Sequence, residues 1–123
     1  MSGNNYLLDT NIILYLLGGD KVLAGIIGSK TPYISFITEM ELLANPLMKA
    51  AEEKAIQAFL SACIIVEINT GIKQAAISIR KKSGLKLPDS IIAATAEYEN
   101  LSLLTADTGF NKLKSLNILQ YKK

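Results

Sequence analysis

The sequence contains no histidine, no tryptophan and only one cysteine. Without histidine, a Ser-His-Asp or Cys-His catalytic site is excluded, and so is a histidine-ligated zinc site. The lone Cys63 rules out an intramolecular disulfide, and its apolar neighbours at residues 59–66 favour a buried thiol over a reactive one. Any hydrolytic chemistry therefore has to come from carboxylates, hydroxyls, lysines or a hard metal ion.

Long apolar runs are also missing. The longest ones, such as residues 12–17, are far shorter than the roughly 20 residues of a membrane-spanning helix. The N-terminus has no basic segment ahead of an apolar one, so it does not match a signal peptide. We therefore expect a cytoplasmic protein without a membrane anchor. The 123 residues have an ordinary globular composition and predict one domain, residues 1–123.

Short runs rich in leucine and β-branched residues alternate with longer amphipathic ones along the chain. The pattern predicts strands at residues 6–9, 32–35, 64–68, 101–105 and 118–121. It predicts helices at residues 11–17, 20–28, 38–45, 50–62, 71–82 and 88–99, with a helical turn at 110–113. Short strands separated by helices pair in parallel, so the predicted class is α/β, with helices on both faces of one parallel sheet of about five strands.

Four acidic residues stand where a predicted strand ends or the following helix begins, the edge at which such sheets collect functional residues. They are Asp9, Glu41, Asp89 and Asp107. Carboxylates that converge on one edge repel one another and raise each other's pKa unless a cation lies between them. Oxygen ligands without histidine or thiolate select a hard ion, so the hypothesis is a site for Mg²⁺ or Mn²⁺.

Each acid also has a structural alternative. Thr38 and Glu41 match a capping box, and Asp89 is well placed to begin a helix. Asp9 could cap the helix that follows it, and Asp107 could form a turn. For any acid taken singly, the residues leave the alternative open; the four together favour the metal site.

Four short motifs contain these acids: Leu-Leu-Asp9-Thr-Asn, Ser35-x-x-Thr-x-x-Glu41-Leu, Leu-Pro-Asp89 followed by Ala93-Ala94, and Leu-Thr105-x-Asp107-x-x-Phe110. In order and spacing they resemble the motifs of the PIN-domain nucleases, in particular the VapC-like toxins of toxin–antitoxin pairs. The resemblance covers nearly the whole chain. It implies a parallel sheet of about five strands and a site of three or four acids that binds Mg²⁺ or Mn²⁺.

The resemblance implies catalytic and metal-ligating roles for the same four acids. Many relatives have a second acid directly before the phenylalanine, where this sequence has Gly109. Asp107 is then the acid that this loop supplies, and the number of metal ions stays open. Three polar side chains are placed to orient ligands or water: Thr10, Asn11 and Thr105.

By the same resemblance, the expected activity is hydrolysis of RNA phosphodiester bonds, in the toxin of a toxin–antitoxin pair. The formal net charge is +2, and four of the eleven acids belong to the candidate site, so the remaining surface is more basic than the total suggests. The cations along the chain just before the third acid are candidates for RNA contact: Lys73, Arg80, Lys81, Lys82 and Lys86. A solvated helix face explains the same residues.

The resemblance further implies a homodimer and an antitoxin, a peptide of which lies in a groove beside the site. The apolar segments 12–17 and 22–27 are candidates for that groove. Packing in the protein core accounts for these segments equally well.

Two alternatives to the nuclease share its fold class. A PIN fold that has lost catalysis and binds RNA or protein would keep the architecture without turnover. A phospho-receiver domain has similar size and class, but it requires paired acids after the first strand and an aspartate after the third. Here Thr10 and Asn11 follow Asp9, and Asn69 follows the third strand, so the receiver alternative fails on its residues.

Overall fold

The structure, a computed structural model, describes residues 5–123 and contains a sheet of five parallel strands. The strands are β1 (Tyr6–Leu8), β2 (Tyr33–Ser35), β3 (Ile64–Val66), β4 (Ser102–Thr105) and β5 (Ile118–Gln120). Their order across the sheet is β3-β2-β1-β4-β5. Residues 1–4, which the sequence analysis placed in the domain and compared with a signal peptide, lie outside the described residues.

Helices connect the strands, as the alternating pattern predicts. They are α1 (Thr10–Leu17), α2 (Lys21–Ile27), α3 (Phe36–Leu43), α4 (Ala50–Ser61), α5 (Thr70–Ser83), α6 (Leu87–Tyr98) and a 3₁₀ helix (Thr108–Lys112). Every predicted element is present within two residues of its predicted ends. Among residues 5–123 no single helix is long and apolar enough to cross a membrane; α1 and α2 meet the criterion only together, as a pair bent by 118°.

The central strand β1 is covered by helices on both faces. Successive side chains of a strand point to opposite sides, so Leu7 and Leu8 enter different parts of the core. Leu8 packs with residues of α1, α2 and α4, including Ile12 and Leu23. Leu7 packs on the other face with residues of α6, including Ile92, and with Phe110 of the 3₁₀ helix. The predicted class, α/β with helices on both faces of a parallel sheet, is confirmed.

Helix α3 begins two residues earlier than predicted, and its start decides whether Thr38 and Glu41 form a capping box. Ser35 caps the helix, and its hydroxyl accepts a hydrogen bond from the Ile37 amide at 3.2 Å. Thr38 therefore lies inside the helix, where it is fully buried. The interpretation of Thr38 and Glu41 as a capping box is wrong.

Cys63, expected to be buried and unreactive, is half-buried at the end of α4. Its thiol donates to the Phe59 carbonyl at 3.3 Å. Burial raises the pKa of this thiol to about 11. A thiol with that pKa is protonated at neutral pH, which agrees with the expected lack of reactivity.

The turn between α5 and α6 depends on Gly84, which ends α5 with φ of 76°. We expect Gly84→Ala to lower the free energy of unfolding by about 1 kcal/mol, because an L side chain is strained at positive φ. Gly25→Ala in α2 is the matched control, since an added Cβ there meets nothing within 4 Å. That change should stabilise the protein by about 0.5–1 kcal/mol. Urea denaturation measures both, and the same sign at both positions would contradict the argument.

Candidate active site

Asp9 follows β1 at the carboxyl edge of the sheet and is only 7% exposed. Its Oδ1 accepts a hydrogen bond from the Thr10 amide at 2.8 Å, and its Oδ2 accepts one from the Thr105 hydroxyl at 2.7 Å. The first contact makes Asp9 the N-cap of α1, as the structural alternative proposed. Burial raises the pKa of Asp9, its two hydrogen bonds lower it, and Asp107 raises it. The net shift is upward, so keeping Asp9 ionised costs free energy in the folded protein.

Thr105, the last residue of β4, joins two strand ends through one fully buried hydroxyl. The hydroxyl donates to Asp9 Oδ2 and accepts the Asp107 amide at 3.0 Å. Asp107 is exposed, and its Oδ1 accepts the Gly109 amide at 2.8 Å to cap the 3₁₀ helix, so the predicted turn is present. A Cβ at residue 109 would lie 3.1 Å from Asp107 Oδ1, so a side chain there would crowd the acid.

Glu41 reaches from α3 across to α1. Its Oε1 accepts the Thr10 hydroxyl at 2.8 Å, and the amide of the same threonine contacts Asp9. Thr10 thus joins two of the acids. The Thr38 hydroxyl lies 3.5 Å from that of Thr10, a contact that the sequence analysis missed although Thr38 stands one turn before Glu41. Asn11, expected to orient ligands, is exposed in the first turn of α1.

Asp89 lies in the first turn of α6 and is half-buried. Burial raises its pKa, and the charges of Asp9, Asp107 and Glu41 raise it further, while Lys86 lowers it. Asp9 and Asp107 follow the carboxyl ends of β1 and β4, and Thr10 joins Asp9 to Glu41. Asp89 is close enough to these three acids for their charges to raise its pKa, so the four predicted carboxylates share one edge of the sheet.

The donor set of this edge fits a hard divalent cation. It consists of carboxylate oxygens, which Mg²⁺ and Mn²⁺ prefer. The neighbouring negative charges that raise the pKa of Asp89 also destabilise the ionised site, and a bound cation would offset that repulsion. Within residues 5–123, no three or more acidic, cysteine or histidine side chains already lie in the arrangement of a metal site. The metal-ligating roles of the acids therefore stay a prediction.

The five cations proposed for RNA contact occupy different environments. Lys86 directly precedes α6 and lowers the pKa of Asp89. Arg80 donates to the carbonyls of Gly84 and Leu85 at 3.0 and 3.1 Å, so its guanidinium closes the turn between α5 and α6. The other three are exposed on α5: Lys73, Lys81 and Lys82.

Residues 6–116 match the family model of the PIN domain. The chain belongs to the PIN domain family. A chain of a toxin–antitoxin complex from Klebsiella pneumoniae is 30% identical, with a TM-score of 0.83 over 97% of this chain and 100% of that one. A chain of VapBC-1 from nontypeable Haemophilus influenzae is 27% identical, with a TM-score of 0.77 over 96% and 98%. The comparison with curated proteins found no match.

A third solved structure supports the fold of this PIN domain. A chain of VapBC2 from Rickettsia felis, bound to a DNA fragment from its promoter, has a TM-score of 0.81 at 23% identity over 95% of this chain and 98% of that one. These similarities confirm the resemblance to VapC-like PIN domains. PIN domains of this kind are generally nucleases and generally use divalent metal ions.

Proposed function

We propose that this PIN domain is a Mg²⁺- or Mn²⁺-dependent ribonuclease and the toxin of a toxin–antitoxin pair. The observation that carries the proposal is the electrostatic interaction of Asp89 with Asp9, Asp107 and Glu41. The negative charges of these three acids raise the pKa of Asp89, and a hard cation would relieve that repulsion. Membership of a family that generally consists of metal-dependent nucleases supports the same chemistry.

In the proposed mechanism the four acids hold the metal, and the neighbouring hydroxyls hold the acids. When bound, the ion supplies positive charge that activates water and stabilises the phosphate transition state. The Thr105 hydroxyl keeps Asp9 Oδ2 in one orientation, and the Thr10 hydroxyl keeps Glu41 directed toward α1. The N-termini of α1 and α6 favour negative charge at Asp9 and Asp89, which opposes the effect of burial.

The direct test is cleavage of RNA by the purified chain. We expect single-stranded RNA and total cellular RNA to be cut with Mg²⁺ or Mn²⁺ and to stay intact with excess chelator. If neither metal supports cleavage of any RNA, the proposal is overturned and the non-catalytic PIN fold that binds RNA or protein is favoured.

Thr105→Val tests whether the buried hydroxyl positions Asp9. We expect cleavage and Mn²⁺ affinity to fall about 10- to 100-fold, as for other groups that orient a metal ligand. The free energy of unfolding should fall by about 1–3 kcal/mol, because the Asp107 amide loses its acceptor.

Thr95→Val is the matched control for that substitution. Thr95 is equally buried, but its hydroxyl donates at 2.7 Å to the Ile91 carbonyl within α6. This variant should bind Mn²⁺ and cut RNA like the native chain. Unchanged Mn²⁺ affinity in Thr105→Val would show that its hydroxyl does not position the acid.

The toxin role is supported by the similarity to chains of toxin–antitoxin complexes. An apolar cleft of about 280 Å³ lies between α1 and α4, lined by Leu14, Leu17 and Ile56. A smaller cleft of about 140 Å³ shares Leu14 and Ile56 with it and extends to Thr10 and Glu41. Together they form a groove that leads to Glu41, and we propose that the antitoxin peptide binds there.

One of the two segments proposed from the sequence lies in the wall of this groove. Residues 12–17, a candidate segment from the sequence, line it through the exposed Leu14 and Leu17 of α1. In the other candidate segment, residues 22–27, Leu23 and Ile27 are buried in the core and Val22 is exposed; the second wall of this groove is α4. The homodimer and the cytoplasmic location stay predictions.

A further inference from the structure

A cleft of about 570 Å³ lies between α5 and the loop that follows the 3₁₀ helix. Three lysines line it: Lys82, Lys112 and Lys114. The Lys112 ammonium donates to the Ser83 carbonyl at 3.3 Å, which keeps this charge at the cleft. The Glu97 carboxylate, which also lines the cleft, accepts the Ser115 hydroxyl at 2.7 Å. Three cations and one carboxylate leave a net positive charge on this concave surface, which concentrates positive potential there.

Both walls of the cleft continue into segments that carry the acids. The 3₁₀ helix begins directly after Asp107 and ends at Lys112. On the other wall, α5 ends at Ser83, and a three-residue turn leads into α6 with Asp89 in its first turn. Lys112 and Ser83, which line the cleft, are therefore five and six residues along the chain from Asp107 and Asp89.

We propose that this lysine cleft binds the phosphate backbone of the RNA strand next to the bond that is cut, an inference that rests on the proposed ribonuclease function. Lysine ammonium groups contact phosphates as point charges and do not read bases, so the cleft positions the strand without selecting its sequence. Lys82 was a candidate from the sequence. Lys112 and Lys114 were not, because they lie far from Asp89 along the chain and only the fold brings them opposite α5.

The test measures RNA binding by the full chain carrying Asp9→Asn, so that the strand is held without being cut. Fluorescence anisotropy of a labelled single-stranded RNA is recorded without divalent metal at several salt concentrations. Two further variants are compared in this background: Lys82→Gln with Lys114→Gln, and the control pair Lys21→Gln with Lys54→Gln. The control lysines are exposed and lie outside the cleft, and the pair removes the same charge.

We expect the cleft pair to weaken binding about tenfold at low salt and to reduce the slope of log K against log salt by about 1.4, because about 0.7 is lost for each phosphate contact of a single strand. The control pair should change both quantities much less. Equal affinity and slope in the two pairs would overturn the cleft proposal. It would also be overturned if the cleft pair lost binding to a labelled acidic peptide, measured in the same way, while its binding to RNA stayed unchanged.

Failure of the cleft proposal and failure of the proposed ribonuclease function give different experimental results. If the native chain cuts RNA and the two pairs bind RNA alike, the ribonuclease stands and the cleft proposal fails. If the native chain cuts no RNA with either metal but the cleft pair loses binding selectively, the ribonuclease fails and the lysine cleft still binds RNA.

Discussion

Asp9→Asn is expected to lower metal-dependent RNA cleavage by about three orders of magnitude, a loss of about 4 kcal/mol of transition-state stabilisation. The amide has the size of the carboxylate and retains one oxygen that can accept from Thr10 or Thr105. It lacks the negative charge that a divalent ion requires. The rate of cleavage of a labelled RNA by purified protein measures the effect.

The same substitution should leave the domain folded. Burial raises the pKa of Asp9, so the ionised carboxylate is unfavourable in the folded protein at neutral pH. Removing the charge removes this cost, and the free energy of unfolding without metal should stay the same or rise. Loss of activity accompanied by unfolding would contradict this reasoning.

Asp20→Asn is the matched control because the fold lowers the pKa of Asp20, whereas it raises the pKa of Asp9. Hydrogen bonds from the Leu23 amide at 3.1 Å and the Tyr121 hydroxyl at 2.7 Å lower the pKa of Asp20. The variant should be less stable than the native chain, yet it should cut RNA at the native rate while folded. Comparable residual cleavage in folded Asp9→Asn and Asp20→Asn would show that Asp9 is not at the active site.

Mn²⁺ or Mg²⁺ is expected to raise the Tm of the native chain by about 10 °C at a concentration of 100 Kd. Binding to the folded state alone contributes about 2.7 kcal/mol at that concentration, and the unfolding entropy of a chain of this length converts 1 kcal/mol into about 4 °C. Differential scanning calorimetry with metal and with chelator measures the shift. A shift of the same size in the Asp9→Asn, Asp89→Asn double variant would place the metal elsewhere.

The raised pKa values of Asp9 and Asp89 should make the metal-free protein less stable as the pH rises. The ordinary pKa of each carboxyl is 3.8, and the fold raises both values. Below about pH 4 both states are protonated, and no cost arises; above that, the unfolded chain ionises first, and stability falls until the pH passes the raised pKa values. The difference in Tm between the native chain and the double variant isolates this effect. The metal-induced rise in Tm should grow over the same pH window, because the cation binds the ionised form.

Local pattern was sufficient to predict the fold class and the order of the elements. Strands such as β1 and helices such as α6 have distinct hydrophobic periods, and each is set by neighbours within a few residues. The same locality placed Asp9 and Asp89 at a strand end and a helix start. Because parallel strands all end at one edge of the sheet, acids at those positions were predicted to converge, and the interaction of Asp89 with the other three agrees.

The contacts that shape the site depend on residues that are distant along the chain. Thr105 and Asp9 are 96 residues apart, and their hydrogen bond exists because β4 lies beside β1 in the sheet. The helix that carries Glu41 begins at Phe36 because Ser35 supplies the cap. The lysines at residues 112 and 114 face α5 only in the folded chain. Periodicity describes which face of an element is buried, but strand order and helix packing decide what that face meets, and those follow from the packing of the whole domain.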